Sequence, residues 1–150
     1  MKLAEALQER ADLNRKIEQL CVRLNNNAIV QEGENPAENP QDLLNELNDS
    51  VERLENVIAR INKTNCVTIV EGKSITELIA KKDCLMLKLR AYKELACTAS
   101  QTAHRAGRKE IKILSTVDVK KIQKEIDIVS KELRLTDNKI QEMNWKTELL

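Results

Sequence analysis

The sequence predicts a mostly all-α protein: an antiparallel four-helix bundle with long, coiled-coil-like helices and a small extended or β element at one end. Two observations predict it. Apolar residues recur at alternating steps of three and four in four separate segments, the spacing of a helix that buries one stripe. The chain also has one Trp, one Tyr and no Phe, so its interior must be aliphatic, as in helical bundles. A length of 150 residues predicts a single domain, 1–150.

The first helix is predicted from Leu3 to Leu24, with Arg10 as the one charge on its stripe. The three asparagines at 25–27 end it, because their side chains compete for nearby backbone groups. Residues 28–31 are predicted to be a short, extended piece, and the following EGENPAENP contains a Gly and two Pro that exclude regular structure. This stretch is therefore expected to be a surface loop that leads to the second helix.

Asn39 and Pro40 are predicted to be the N-cap and the first residue of the second helix, which should end near Thr64. Its predicted stripe consists of Leu44, Leu47, Val51, Leu54, Ile58 and Ile61. The β-branched residues that follow, 66–70, return through a turn at 71–72 and indicate a small hairpin or extended excursion.

Ser74 and Glu77 have the spacing of a capping box, so the third helix should begin there. Its predicted stripe is Ile75, Leu78, Lys82, Leu85, Leu89, Tyr92, Ala96, Ala99 and Ala103. The small residues at its far end favour a close crossing by another helix near 96–103.

Residues 110–114 alternate like a strand and could pair with 28–31 or 66–70, before Ser115 and Thr116 cap the last helix. That helix has the clearest stripe in the chain: Val119, Ile122, Ile126, Val129, Leu133, Thr136, Ile140 and Met143. The third and fourth helices should outreach the first two and leave apolar side chains free for a second chain, so a homodimer or higher homo-oligomer is expected. These side chains are Ile128, Leu135 and Ile140.

Composition excludes several classes of function. A net charge of +1 and the scarcity of aromatic rings argue against binding of extended nucleic acid. No segment approaches the roughly 20 apolar residues that span a bilayer. The charged N-terminal residues do not resemble a secretory leader. We therefore expect a cytoplasmic protein that does not associate with a membrane. The four cysteines contain no CxxC pair and there is one His, which predicts free, mostly buried thiols and no metal or other cofactor.

The sequence favours a non-enzymatic protein over an enzyme, and it identifies no candidate catalytic residue. The one His lies seven residues after Cys97, about 10 Å along a helix, which is too far for a ready nucleophile and base. The basic residues around the exit of the third helix are the best candidate site for a small anionic ligand such as a nucleotide, near the predicted start of the last helix. They are His104, Arg105, Arg108, Lys109 and Lys112. The alternative is a solvated basic loop, offset by nearby carboxylates.

Several blocks resemble a family of small bacterial and phage proteins often labelled septicolysin. They are MKLAEALQERADLNRKIEQL, LNNNAIVQEGENPAENP, ARINKTN, KEIKILSTVDV and SKELRLTDNKIQEMNW. The resemblance implies a helical protein without an assigned activity or catalytic residues, and the label implies a cytolysin. Three functions are thus considered: an oligomer that binds or sequesters a small anionic ligand, a protein-binding scaffold or inhibitor that acts through its helix faces, and a membrane-acting toxin.

Overall fold

The computed structural model describes residues 1–102 and 111–150. These residues form a mostly helical protein with one small antiparallel hairpin, so the predicted helical class is confirmed. The elements are α1 (Leu3–Asn26), α2 (Pro40–Val67), β1 (Ile69–Val70), β2 (Lys73–Ser74), α3 (Ile75–Ala99) and α4 (Val119–Lys146). They divide into two compact units: unit 1, residues 1–74 and 143–150, and unit 2, residues 75–142. The single domain over 1–150 stays a prediction.

In unit 1, α1 and α2 pack as an antiparallel pair. Glu9 accepts a hydrogen bond from Arg53 at 2.6 Å, and Lys16 pairs with Glu46 at 2.9 Å, so rising residue numbers on α1 meet falling ones on α2. Both ion pairs are partly exposed to solvent, and each contributes little stability. The apolar stripes between the helices supply the packing.

The stripe of α2 lies one position away from the predicted one along much of the helix. Leu44 and Val51 are 41% and 46% exposed, whereas Leu43 and Val57 are buried. The inner face also contains buried Ser50, whose hydroxyl donates to the Glu46 carbonyl at 2.7 Å. The prediction was wrong here because a hydroxyl satisfied within its own helix can occupy a core position that an apolar pattern skips.

The ends of α2 follow local rules. The Asn39 side chain accepts a hydrogen bond from the Gln41 amide at 3.0 Å, which confirms the predicted cap, and the helix continues to Val67. The hairpin pairs Ile69 with Ser74 and Val70 with Lys73. Its two turn residues, 71 and 72, have φ of 50° and 81°, the positive values that a tight two-residue turn requires.

The predicted strand-like piece near 110–114 does not join this hairpin. Residue 110 lies outside the described residues, and 111–114 have no regular secondary structure. Each strand of the hairpin has two residues and pairs only with its neighbour within the described part of the chain. Pairing of 111–114 with 28–31 or 66–70 was therefore a wrong prediction.

In unit 2, α3 ends at Ala99, before the predicted end at residue 103, which itself lies outside the described residues. Helix α4 begins at Val119, later than predicted, because Asp118 rather than Ser115 caps it: the Asp118 carboxylate accepts from the Lys121 amide at 3.0 Å. The stripe of α4 is confirmed, with Ile126 and Val129 among its buried residues.

All four cysteines are exposed, so the prediction of mostly buried thiols is wrong. Cys84 and Cys97 show the reason. Each is adjacent in sequence to a stripe residue and therefore points about 100° away from the stripe. Separately, no helix among the described residues is long and apolar enough to cross a membrane.

Candidate interaction groove on unit 2

The middle of α3 lacks a buried side chain. Between Leu78 and Ala96 every residue is half-buried or exposed, including the stripe residues Leu85, Leu89 and Tyr92. Helix α2, by contrast, has a buried side chain at intervals of three to seven residues from Leu43 onward. A helix stripe at core positions that is only half-buried is a surface on which another element can pack.

Two adjoining depressions lie along this part of unit 2. The first, about 300 Å³, is lined by Met86, Leu89, Arg90, Lys93, Glu94 and Leu133. The second, about 360 Å³, is lined by Lys93, Ala96, Cys97, Ser100, Gln123 and Ile126. They share Lys93 and together span about 21 Å from Met86 to Ser100 at the helical rise. We call these residues the α3–α4 groove.

The groove exists because α3 and α4 run antiparallel with their stripes facing each other. Lys82 donates to the Asp137 carboxylate at 2.6 Å, and farther along, Ala96 and Ile126 line the same depression. Leu89 and Leu133 supply an apolar floor, while the walls carry charges of both signs. An open groove of this length, with an apolar floor and polar walls, suits an amphipathic helix better than a compact small molecule.

The groove offers no metal site, since no group of three His, Cys, Asp or Glu in the described residues could hold a metal ion. The predicted anion site is only partly visible. Lys112 is exposed, and the other predicted residues lie outside the described ones: His104, Arg105, Arg108 and Lys109. The anion site thus stays a prediction, although the helix start that was expected beside it lies three residues farther along, at Val119.

Of the three apolar residues predicted to remain exposed for contact with a second chain, two are exposed and one is buried. Ile128 and Leu135 are exposed, as predicted, but Ile140 is buried, so that prediction was wrong. Ile140 belongs to the α4 stripe, whereas Ile128 and Leu135 each follow a stripe residue by two positions and lie about 200° around the helix from it. The groove was not predicted from the sequence. The sequence feature that could have indicated it is Met86, which widens the apolar stripe of α3 on one side.

The described residues form a mostly helical protein with an open groove on unit 2. Residues 10–149 match a family described as "Family of unknown function (DUF6847)", and the chain belongs to that family. It is also similar to a protein of known crystal structure, a functionally unknown conserved protein from Corynebacterium diphtheriae, at 40% sequence identity and a TM-score of 0.92. The similarity covers 100% of this chain and 99% of that one. No curated protein matches the chain.

These matches correct the resemblance to the septicolysin family, because nothing in them points to that family. Three of the five blocks that carried the resemblance lie in α1, α2 and α4, namely residues 1–20, 59–65 and 130–145, whereas residues 24–40 and 111–119 lie mostly outside the helices. Amphipathic helices of unrelated proteins share the same mixture of Leu, Glu and Lys at three and four residue steps. Helical patterning accounts for the resemblance in those three blocks, and the cytolysin label has no support.

Proposed function

We propose that this protein is a non-enzymatic helical scaffold that forms a homodimer, in which the α3–α4 groove of each copy receives the α3–α4 hairpin of the other. The two hairpins then make an antiparallel four-helix bundle. The observation that carries this proposal is the half-buried middle of the α3 stripe, above all Leu85, Leu89 and Tyr92. Two helices bury only one side of each stripe, whereas four helices surround a common core.

A second copy fits the groove because it brings two matching stripes of the required length. Helices of 25 and 28 residues extend about 38 to 42 Å, so they cover the whole groove. The small side chains at one end, Ala96, Cys97 and Ser100, allow another helix to approach closely.

Charge supports the same occupant. The groove walls carry Arg90 and Lys93 together with Glu94. Under two-fold symmetry each copy presents this same set to the other, so cations on one side can meet a carboxylate on the other. The net charge of +1 produces little repulsion between copies.

Sedimentation equilibrium of the full chain tests the proposal with a matched pair of substitutions. The wild type is expected at twice the chain mass of 17.1 kDa. Leu89→Glu places a charge on the groove floor and should give a monomer, whereas Leu87→Glu, on an exposed position of the same helix, should leave the dimer intact.

A second pair guards against misfolding of the first. Both Cys97 and Cys84 are exposed on α3, but only Cys97 lines the groove. Cys97→Arg should therefore dissociate the dimer while circular dichroism stays unchanged, and Cys84→Arg should not. A wild type that sediments as a monomer, or equal effects of the two arginines, would rule out the groove as the dimer contact.

Capture of a small anionic ligand is a separate proposal that rests on the sequence. Isothermal titration with inorganic phosphate and a nucleotide panel tests it, with Arg105→Ala and Arg108→Ala expected to weaken binding because each removes a cation. Absence of binding, or binding that neither substitution changes, would remove it.

A further inference from the structure

The segment between α1 and α2 is a loop whose two ends are held together. Asn27 lies just after α1 and is buried. Its side-chain amide donates to the Arg23 carbonyl at 2.9 Å, and its side-chain oxygen accepts from the Glu38 backbone amide at 3.0 Å. One side chain therefore fixes the end of α1 to the end of the loop, which closes residues 28–37 into a compact surface loop.

An ion pair between Arg23 and Glu38 also holds the two ends of the loop together. We call this junction, formed by Arg23, Asn27 and Glu38, the loop neck. The Arg23 guanidinium donates to both carboxylate oxygens of Glu38, with Nε 3.0 and 3.2 Å from them and Nη2 also bonded to Oε1. The hydrogen bonds raise the pKa of Arg23 and lower the pKa of Glu38 below its ordinary value. Both groups thus stay charged at neutral pH, and the two-pronged geometry restricts how the loop can leave the helix.

The tip of the loop exposes apolar side chains beside carboxylates. Ile29 is 87% exposed, more than any other large hydrophobic side chain that the structure describes, and Val30 is 50% exposed. A turn follows, in which the Glu34 amide donates to the Gln31 carbonyl at 3.0 Å, and both Glu32 and Glu34 are exposed. The loop therefore presents an apolar pair followed by two negative charges.

We infer that residues 28–37, the α1–α2 loop, are a docking element for a second protein that has an apolar pocket rimmed by Lys or Arg. Ile29 and Val30 enter the pocket, and Glu32 and Glu34 meet the basic rim. The clamped neck supports this use, since a loop already held in place loses less conformational freedom on binding. The two carboxylates disfavour an anionic membrane surface, which attracts cations. The loop belongs to unit 1, so this site does not depend on the groove of unit 2.

Affinity capture followed by titration tests the inference. The full-length wild type, Ile29→Asp and Val22→Asp are immobilised and exposed to lysate of the source organism. Val22 is the matched control, because it is also an exposed β-branched residue of unit 1 but lies on α1, outside the loop. A protein that the wild type and Val22→Asp retain and Ile29→Asp loses is identified, purified and titrated against each variant.

We expect the purified protein to bind Ile29→Asp about tenfold or more weakly than wild type, since burial of one Ile contributes that much affinity. Glu32→Lys should weaken binding at low salt and less at high salt. Asn27→Ala should weaken binding through the neck, with the helical circular dichroism retained.

Three results would overturn it: no protein distinguishes wild type from Ile29→Asp, the purified protein binds both equally, or Glu32→Lys has no salt-dependent effect. Binding of the wild type to phosphatidylglycerol vesicles that Ile29→Asp abolishes would also overturn it, because the loop would then contact lipid. Since Ile29 is almost fully exposed, its replacement should leave the thermal unfolding midpoint unchanged.

Discussion

Thr64 links α2 to the C-terminal segment, and its hydroxyl allows a quantitative test of that link. The side chain is fully buried; its Oγ1 donates to the Arg60 carbonyl at 2.8 Å and accepts from the Leu150 amide at 3.1 Å. Ser50 lies on the same face of α2 and is also buried, but its hydroxyl donates only to the Glu46 carbonyl of its own helix. Of these two hydroxyls, that of Thr64 joins two segments and that of Ser50 does not.

Thr64→Val should lower the free energy of unfolding by about 1 to 2 kcal/mol, because the partly buried Leu150 amide loses its acceptor. Ser50→Ala should cost less than about 0.5 kcal/mol, since the Glu46 carbonyl keeps its helical hydrogen bond and Ala favours the helix. Deleting Leu150 removes the donor. In that shortened chain Thr64→Val should cost about 1 kcal/mol less than in the full chain, which is the coupling between the two groups.

Urea unfolding followed by circular dichroism at 222 nm provides the free energies. All variants are compared at one protein concentration, because self-association shifts the midpoint by mass action. The reasoning fails if Thr64→Val is no more destabilising than Ser50→Ala. It also fails if the cost of Thr64→Val is the same with and without Leu150.

Three further predictions concern packing, pH and thiols. Leu43→Ala should cost about 2 to 4 kcal/mol in urea unfolding and Leu44→Ala under about 1, because only Leu43 is buried; equal costs would contradict the observed stripe. Hydrogen bonds from Lys2 and the N-terminal amine lower the pKa of Glu148, so the stability that it contributes is present at neutral pH and is lost as pH falls below the ordinary 4.5. The difference in thermal midpoint between wild type and Glu148→Gln should therefore shrink from neutral to strongly acidic pH, and a constant difference would refute this. In a reaction with Ellman's reagent, one thiol should react more slowly as protein concentration rises, and Cys97→Ser should remove that slow thiol. Retention of the slow thiol in this variant would refute burial of Cys97 in the dimer.

The stripes of α3 and α4 could be predicted because nearly all of their positions carry apolar or long side chains at an unbroken spacing, with Thr136 as the one short polar residue among them. The stripe of α2 could not be placed correctly from the same rule. Leu44 and Val51 continue the apolar pattern as well as Leu43 and Val57 do, and the true inner face also includes Ser50 and Thr64. Apolar periodicity assigns the buried face to the set of α2 positions that has fewer hydroxyl side chains. A hydroxyl that is hydrogen-bonded within its own helix is nevertheless acceptable in the core.

The contacts of the loop neck could not be predicted from apolar periodicity, for a different reason. Arg23 and Glu38 are 15 residues apart, and nothing in a helix pattern relates a residue in the last turn of one helix to a residue before the next. The three asparagines at 25–27 were correctly predicted to end α1, but which of them would become buried depends on the path of the loop. Only the structure shows that Asn27 bridges Arg23 and Glu38.

Dimerisation through the groove and docking through the α1–α2 loop have a joint consequence for binding. The groove lies in unit 2 and the α1–α2 loop in unit 1, so a dimer formed through the groove carries two loops, and each dimer can hold two partner molecules. On a surface densely coated with the partner, the dimer should dissociate at least about tenfold more slowly than the monomeric Cys97→Arg variant, since one loop stays bound while the other releases. In solution titration both forms should show the same affinity per loop. A monomer that leaves the coated surface as slowly as the wild type would separate loop binding from self-association and remove the scaffold role.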